Sequence, residues 1–364
     1  MGENMLHDML DMAVSSKASD VHIKEGHSVT LRIEGSLVDT DYVPDSDFMK
    51  AIIRGMASPE QEKRYYESGD LDLSFVAENV GRFRVNIHRQ RGSHGITMRH
   101  VKSNIMNFEQ LGVPGVLEQI AEAPRGIIIV CGTTGSGKST TLAAMLEHLN
   151  LKHRRHILTI EDPIEYEFFD KQSIFEQREV GLDTPTFSSA LIHALRQDPD
   201  IIMVGEMRDR QSFEGALQAA DTGHVVMTTL HSTTASQAIN RILDFFSKGE
   251  QDSIREALAL NIKAIIAQRL MPRAFGGGVI PAVEIMINSP IIRKLIQENR
   301  LDKLAQAIEG GREDGMQSFN QSLLTLVNEG QISEEDALIA ATNPEALKMN
   351  LQGIFLNTDN QILG

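Results

Sequence analysis

The sequence has few of the residues that build disulfide or zinc frameworks, and it contains no apolar run long enough for a membrane span. Its 364 residues include one cysteine and no tryptophan. A single cysteine excludes an internal disulfide and a cysteine-rich zinc site, which fits a reducing compartment. No apolar run approaches the roughly 20 residues of a membrane-spanning helix, and the acidic N-terminal stretch lacks the basic region of a signal peptide. We therefore expect a cytoplasmic protein that meets a membrane only through a partner.

Basic residues are scarce relative to acidic ones. Lysine and arginine total 35 against 50 aspartates and glutamates, a net charge of −15. Because phosphate neutralisation by basic side chains supplies most nonspecific affinity for nucleic acid, this balance argues against nucleic acid as a partner. A hydrophobic content of 41% is typical of a globular chain, and the length is sufficient for two domains.

Residues 1–103 have the pattern of a small α+β domain. Residues 5–13 place their apolar side chains on one helical face, and residues 46–66 are also helical in pattern. Between and after them come short runs in which apolar and polar residues alternate, as in residues 83–87. Such runs, bounded by Gly, Asp or Ser, predict a half-buried antiparallel sheet.

The pattern changes after residues 104–115, which we interpret as an inter-domain linker because they lose the alternation and end in a Gly- and Pro-containing turn. Continuous apolar runs then alternate with helical segments, and the runs cover residues 127–130, 156–160, 200–205 and 224–230. Runs of this kind predict a parallel sheet buried on both faces, so residues 116–364 form an α/β domain. Its last part, after Asn288, is predicted to be helical.

The stretch CGTTGSGKSTT, residues 131–141, is the most specific motif in the chain. It follows an apolar run and precedes a helical pattern, and it fits the phosphate-binding P-loop pattern G-x-x-x-x-G-K-S in full. Backbone N–H groups would approach phosphate oxygens, Lys138 would reach the β- and γ-phosphates, and Ser139 would offer its hydroxyl to Mg²⁺. The predicted ATP-binding residues here are Gly132, Thr133, Thr134, Gly135, Ser136, Gly137, Lys138, Ser139 and Thr140.

Two acidic segments follow predicted strands and supply candidates for catalysis. Glu206 ends the run DIIMVGE and is the candidate metal-binding acid, the alternative being an ordinary strand-end glutamate. Glu165 lies in the acidic cluster EDPIE and is the candidate that positions or deprotonates the attacking water, the alternative being a solvated loop. Because ligands bind at the carboxyl ends of strands in open α/β sheets, these acids should face the P-loop crevice.

Histidines and arginines complete the candidate site. His231 follows the run VVMTTL and could sense the γ-phosphate, whereas His224 begins the same run; a structural role is the alternative for both. In GRFRVNIHR, Arg82 and Arg84 lie on the face opposite the apolar residues, and Arg99 lies on the neighbouring run. These arginines either form a solvated face or complete the nucleotide site from the same chain or a neighbour, as an arginine finger does.

Four segments resemble, in order and spacing, the Walker A, Asp box, Walker B and His box of the secretion ATPase superfamily, and most closely those of the PilT family of type IV pilus retraction ATPases. They read GTTGSGKSTT, ILTIEDPIEYEF, ALRQDPDIIMVGEMRD and AADTGHVVMTTLHS. The resemblance runs from ASDVHI through GRFRVN to GMQSFNQSL and so covers most of the chain.

This resemblance implies a PAS-like N-terminal domain, a RecA-like ATPase domain and a homohexameric ring with ATP between the two domains. It makes Glu165 the catalytic glutamate and Glu206 an atypical Walker B acid. The matching residues that bind ATP or its Mg²⁺ are Lys138, Ser139, Glu206, Arg82, Arg84, Arg99, His224 and His231. The implied role is to power pilus disassembly at the pilus base by acting on an inner-membrane platform protein. A paralogous pilus ATPase is a further candidate partner.

Two departures bear on the subtype. Ile291 stands where the retraction branch often has alanine, and Val283 stands where it often has histidine, which is more similar to the accessory paralogue PilU. The alternatives are therefore an accessory ATPase that depends on a partner, an assembly or type II secretion ATPase, a DNA-handling secretion ATPase, and a nucleotide-binding regulator without turnover. The absence of a paired C-x-x-C argues against the assembly branch.

Overall fold

The structure is a computed structural model that describes residues 2–354, and the chain divides into two compact units. The first consists of Met1–Asn104 and Pro163–Glu167, and the second of Ile105–Asp162 and Phe168–Gly364. The sequence did not predict that Pro163–Glu167 would belong with the first unit. The expected linker, 104–115, lies almost entirely in the second unit and contains a short helix. Residues 1 and 355–364 of the predicted domains lie outside the described residues.

The first unit contains, among the described residues, a six-stranded antiparallel sheet in the order β3-β2-β1-β6-β5-β4. Its strands are β1 (Asp20–Lys24), β2 (Thr30–Ile33), β3 (Ser36–Asp39), β4 (Asp70–Ala77), β5 (Gly81–Gln90) and β6 (Ser93–His100). The helices are α1 (Gly2–Ser15), α2 (Ser46–Met56) and α3 (Pro59–Ser68). Apolar residues of the strands and helices form one core, which confirms the predicted α+β architecture.

The predicted helix over residues 46–66 is in fact two helices. The break falls at Ser58, whose hydroxyl accepts a hydrogen bond from the Gln61 backbone N–H while the Gln61 side chain accepts one from the Ser58 N–H. Pro59 then occupies the first turn of α3. A capping box followed by proline is a strong helix start. The apolar periodicity continues across this boundary, but the local hydrogen bonds at Ser58 begin a new helix there.

The second unit contains a seven-stranded sheet within the described part of the chain, in the order β13-β12-β7-β11-β10-β8-β9. Its strands are β7 (Gly126–Cys131), β8 (His156–Glu161), β9 (Ile174–Glu179), β10 (Ile201–Val204), β11 (Val225–Leu230), β12 (Ile262–Pro272) and β13 (Val279–Ile287). All neighbours are parallel except the antiparallel pair β12–β13. The predicted parallel sheet is therefore confirmed, and β9 and the β12–β13 hairpin add to it.

The turn of the β12–β13 hairpin includes the glycine triplet Gly276, Gly277 and Gly278. All three have positive φ angles of 71–80°. Residues other than glycine rarely adopt positive φ angles, so the triplet allows a turn that would be strained with other residues. The hairpin brings residues 262–272 beside β7, where they take part in the site described below.

Twelve helices lie before, between and after these strands in the described part of the second unit. They are α4 (Phe108–Leu111), α5 (Val116–Ala121), α6 (Lys138–Lys152), α7 (Phe187–Ala194), α8 (Arg210–Asp221), α9 (Ala235–Leu243), α10 (Gln251–Asn261), α11 (Pro290–Gln297), α12 (Leu304–Gly310), α13 (Phe319–Asn328), α14 (Glu334–Ala340) and α15 (Pro344–Leu351). Short 3₁₀ turns occupy Leu301–Lys303 and Arg312–Asp314. The helical C-terminal part predicted after Asn288 is confirmed.

Burial of the central strands on both faces explains their continuous apolar sequences. Every residue of β7, β10 and β11 is buried. Ile127 and Ile129 of β7 lie in the same core cluster as Phe213 of α8. Among residues 2–354, no helix is both long and apolar enough to cross a membrane.

Candidate nucleotide-binding site

The P-loop of this chain lies between a buried strand and a helix of fifteen residues. Strand β7 ends at Cys131, the loop occupies residues 132–137, and α6 begins at Lys138. Thr133, Thr134 and Gly135 are exposed, whereas Ser139 and Thr140 are partly buried. The start of a helix presents unpaired backbone N–H groups and the positive end of the helix dipole, and both favour a bound anion.

Two glycines of the loop are required by their surroundings. A Cβ atom at Gly132 would lie 2.6 Å from the backbone oxygen of Gln268, and one at Gly137 would lie 2.7 Å from Nε2 of Gln268. Gly137 also has a φ of 86°. By contrast, Gly135 has a φ of 77° but no neighbouring atom within 4 Å of a Cβ at that position. The glycines of the motif thus allow a close approach between the loop and strand β12 as well as to a phosphate.

Lys138 and Ser136 show how the loop is held. The Lys138 ammonium donates hydrogen bonds to the backbone oxygens of Gly132 (3.1 Å) and Thr133 (2.9 Å), so its side chain folds over the loop. The buried hydroxyl of Ser136 has no hydrogen-bond partner within the described residues. Because buried polar atoms are almost always paired, an orphaned hydroxyl inside the loop fits a site that a ligand completes.

The carboxyl ends of the parallel strands bring three further side chains to the same edge of the sheet. Cys131 at the end of β7 pairs with Leu230 at the end of β11, and His231 follows directly. Strand β10 lies beside β11 and ends at Val204, two residues before Glu206. The order β7-β11-β10 therefore places the P-loop, His231 and Glu206 on neighbouring strand ends, as the sequence predicted.

Glu206 is held by two cationic or polar partners. Its Oε1 lies 3.2 Å from Nε2 of His231, and its Oε2 lies 2.8 Å from a guanidinium nitrogen of Arg208. The hydrogen bond with Glu206 raises the pKa of Arg208, so this guanidinium is positively charged. The sequence did not single out Arg208, although its position two residues after Glu206 in the exposed strand-end loop could have indicated it.

The acidic cluster after β8 divides between the two units. Glu161 is buried and accepts hydrogen bonds from Thr159 (2.7 Å) and Gln177 (3.1 Å). Glu165 belongs with the first unit, where it is exposed between buried Ile164 and Tyr166. In that unit the backbone N–H of Glu167 donates to Lys102. The carboxylate of Glu161 thus has a structural hydrogen-bonding role, and Glu165 stays the candidate catalytic acid of this segment.

The structure does not bring His224 to the P-loop. His224 lies at the amino end of β11, whose first residue, Val225, pairs with the first residue of β7, Gly126. A strand of six residues spans about 20 Å. The His224 ring contacts Ala219 (2.9 Å) and Thr222 (3.0 Å) instead. The structure therefore places His224 at the edge of the sheet opposite the P-loop, because parallel strands carry their two ends to opposite edges, and nucleotide binding by His224 stays a prediction.

The three arginines lie on the open face of the first unit's sheet. Arg84 of β5 is directly opposite Arg99 of β6, and Arg99 is opposite Asp20 of β1. The Arg99 side chain donates a 2.8 Å hydrogen bond to the buried Asp20 carboxylate. Arg99 therefore already has a carboxylate partner. Arg82 is partly buried on the same strand as Arg84, which is exposed.

Comparison with known proteins agrees with this geometry. The family described as type II/IV secretion system protein matches residues 2–276. PilT of Pseudomonas aeruginosa, a type IV pilus retraction ATPase, is 41% identical over 93% of this chain and 98% of its own length. The type IV pilus ATPase PilU of the same organism is 36% identical over 94% of this chain and 90% of its own length.

The chain therefore belongs to the PilT/PilU family of secretion ATPases. A crystal structure of the pilus retraction motor PilT with bound ADP resembles it with a TM-score of 0.86 and 40% identity, over 94% of this chain and 98% of that one. The likeness of the whole chain confirms the fold class predicted for this PilT/PilU family member, an α/β protein with a RecA-like P-loop domain. That solved relative holds ADP, and this family member shares its fold.

The glycines give a test of the loop geometry. Gly137→Ala should weaken ADP binding strongly, because an alanine there meets the Gln268 side chain and adopts a left-handed backbone that costs about 1–2 kcal/mol. Gly135→Ala meets only the second penalty. We expect isothermal titration calorimetry with Mg²⁺ and ADP to give a larger loss of affinity for Gly137→Ala than for Gly135→Ala. Equal losses would mean that the approach of Gln268 does not constrain the loop.

The Asp20–Arg99 pair predicts a pH-dependent stability. Burial raises the pKa of Asp20, but hydrogen bonds from Ser19 and Arg99 outweigh it and hold the pKa below its ordinary value of 3.8. A lowered folded-state pKa contributes stability above the unfolded-state pKa, and this contribution is lost as the pH falls through the folded-state value. Asp20→Asn should therefore lower the thermal unfolding midpoint more at pH 7 than at pH 3.

The control for this experiment is Asp41→Asn, which changes an exposed loop aspartate of the same unit. Exposed substitutions usually change the free energy of unfolding by less than about 0.5 kcal/mol, so this variant should shift the midpoint little at either pH. An Asp20→Asn deficit of the same size at both pH values would show that the ion pair does not favour the carboxylate.

Proposed function

We propose that this chain is an ATPase motor that hydrolyses ATP to power type IV pilus retraction and thus twitching motility. The observation that supports this most is the complete P-loop at the sheet edge that also holds Glu206 and His231, in a chain 41% identical to PilT over 98% of the length of PilT. A nucleotide phosphate at this edge would meet both the loop and the strand-end side chains. This is the arrangement that phosphoryl transfer needs.

The residues present fit a nucleotide with Mg²⁺. Lys138 and the N–H groups of residues 132–137 would bind the phosphates, and the orphaned Ser136 hydroxyl would gain a partner there. The Ser139 hydroxyl and the Glu206 carboxylate are oxygen donors, the ligand type that Mg²⁺ prefers. When bound, Mg²⁺ would neutralise negative charge on the phosphates. We propose ATP and Mg²⁺ as the cofactors.

The proposed reaction adds water to the γ-phosphorus of ATP, breaks the bond to the β–γ bridging oxygen, and gives ADP and phosphate. We assign Glu165 to orient the water and accept its proton. His231 would contact the γ-phosphate, and its 3.2 Å separation from Glu206 would let the departure of phosphate change the position of that carboxylate. Arg208 would balance the charge of Glu206 throughout.

The arginines of the first unit are proposed to complete the nucleotide site in the assembled protein. An ATP bound beside Glu206 and Glu161 brings negative charge close to carboxylates, and Lys138 is a single compensating cation of the loop. Planar guanidinium groups suit phosphate because they form paired hydrogen bonds. Arg82, Arg84 and Arg99 would contribute them from the same chain or from a neighbour in a homohexamer.

The proposed setting is the cytoplasmic face of the inner membrane at the pilus base. There the homohexamer would act on the pilus platform protein. A paralogous pilus ATPase is a second proposed partner, because this chain is similar to both PilT and PilU of one organism. The alternative function is accordingly that of an accessory retraction ATPase, which the valine at position 283 favours.

Glu165→Gln tests the motor function. The wild-type protein should hydrolyse ATP as a hexamer, and the variant should retain the hexamer while turnover falls by about 10² or more, the usual contribution of a general base. The measurement is phosphate release together with particle mass by light scattering. Glu167→Gln, on the same segment, is the matched control and should retain activity. A hexamer that binds ATP but hardly hydrolyses it, even as wild type, would favour the accessory function.

Alanine variants of Arg82, Arg84 and Arg99 test the proposed arginine contribution. A full arginine-finger role is worth roughly 10³ or more in turnover, so at least one variant should form hexamers and hydrolyse ATP far more slowly. Arg64→Ala, on the exposed side of α3, is the control. Unchanged turnover in all three would assign these arginines to a solvated face.

A further inference from the structure

The side chain of Gln268 connects strand β12 to both the P-loop and the helix that follows it. Its Nε2 donates a 2.8 Å hydrogen bond to the backbone oxygen of Ser136, within the loop. Its Oε1 accepts a 2.7 Å hydrogen bond from the hydroxyl of Thr141, in the first turn of α6. A single carboxamide thus joins the end of the loop to the start of the helix, on either side of Lys138.

This carboxamide lies in a buried environment, where its hydrogen bonds are worth most. Gln268 is 3% exposed and Thr141 is 1% exposed. In such surroundings an unpaired polar group is costly, so breaking either bond would leave the Ser136 carbonyl or the Thr141 hydroxyl without its partner. A carboxamide donates through its nitrogen and accepts through its oxygen without carrying charge. Leucine would fill the space without the bonds, and glutamate would bring a carboxylate against a carbonyl oxygen.

The backbone of the loop is shaped around this residue. The two glycines that define the motif, Gly132 and Gly137, have atoms of Gln268 within 2.7 Å of the place where a Cβ would lie. Strand β12 is itself fixed beside the loop, since Ala267 pairs with Cys131, the last residue of β7. Gln268 therefore approaches the loop from β12. This strand is paired in parallel with β7, the strand that leads into the loop.

Strand β13, the other strand of the hairpin, holds Gln268 in place. Gln268 pairs with Val283 of β13. The Val283 N–H donates to the Ser322 hydroxyl (3.0 Å), and the Val283 carbonyl accepts from the Gln317 side chain (3.0 Å). These contacts link the Gln268–Val283 pair to the C-terminal helical region, so the position of Gln268 depends on elements far from the loop in sequence.

We propose that Gln268 is a positioning residue for nucleotide binding, which holds the P-loop backbone in the conformation that aims its N–H groups at phosphate. It does not touch the nucleotide and acts through Ser136 and Thr141. This inference rests on the proposed nucleotide-binding function. When a loop samples other conformations, its affinity is reduced in proportion to the fraction of time that it spends in the competent one.

The test compares ADP affinity, with Mg²⁺, in the full-length wild-type protein and in Gln268→Leu, by isothermal titration calorimetry. Loss of a buried hydrogen bond is worth about tenfold in an equilibrium constant, so we expect the Kd for ADP to rise by about tenfold or more. Thr141→Val removes the hydroxyl that donates to Oε1 of Gln268, and it should also raise the Kd for ADP. In the double variant the Kd should rise by less than the product of the two single fold-increases, because both substitutions remove the same contact.

Gln321→Leu is the matched control, since it removes a buried glutamine side chain that likewise donates one hydrogen bond, to the Glu309 backbone oxygen (2.9 Å), and accepts one, from the Ser318 N–H (2.9 Å), away from the loop. It should lower the thermal midpoint without changing the Kd for ADP. If Gln268→Leu lowers the midpoint like the control and leaves the Kd unchanged, the residue is only structural and the proposal is wrong. A wild-type protein that binds no ADP would instead contradict the proposed function itself.

A conservative variant gives a readout that a structural role would not move. Burial raises the pKa of a carboxyl group, and a neutral carboxyl can donate to the Ser136 carbonyl while it accepts from Thr141. Gln268→Glu should therefore bind ADP nearly as well as wild type at pH 6 and at least several-fold more weakly at pH 8.5. An affinity as low as that of Gln268→Leu at both pH values would contradict the proposed hydrogen-bonding role.

Discussion

Close approach of a backbone loop to an anion is the constraint on which the second unit depends. The loop must expose N–H groups without side chains in the way, yet it must not move. Both demands are met because residues 132–137 directly follow β7, whose six residues are all buried. Strands β11 and β12 flank β7 on either side. Glycine supplies the access and the neighbouring strand β12 supplies the rigidity.

Charge balance is the second constraint at this edge. A nucleotide carries several negative charges, and the strand ends that surround the loop are rich in carboxylates. Glu161 accepts hydrogen bonds from Thr159 and Gln177, and Glu206 is paired with the Arg208 guanidinium and lies beside His231. The acids are thus held and directed before any ligand arrives. Preorganised groups of this kind need little rearrangement when a charged ligand binds.

The first unit uses its sheet differently, because only one face of an antiparallel sheet is covered by helices. The covered face forms a compact apolar core, and the open face carries arginines, histidines and acids in cross-strand rows. The Asp20–Arg99 pair shows that part of this polar face is internally compensated. An exposed Arg84 beside it in register leaves positive charge available to an anion.

Local pattern was sufficient for the P-loop, for the antiparallel and parallel sheets, and for the arrival of His231 and Glu206 at one edge. Each of these follows from residues that are adjacent in sequence, or from the rule that parallel strands share their carboxyl ends. The same rule, applied fully, would have placed His224 at the opposite edge. The break between α2 and α3 was missed because helical periodicity continues through Ser58, although the capping box there was readable.

The sequence by itself determined the phosphate-binding motif and the type of sheet that carries it, because both depend on short-range periodicity and on glycine spacing. Only the tertiary structure decided that Gln268, more than a hundred residues from the P-loop, fixes the loop's backbone, and that Glu165 belongs with the first unit. Those facts depend on which strands become neighbours and on how a hairpin aligns with β7. Pairing between distant segments is set by the packing of the whole core, which no local window of sequence contains.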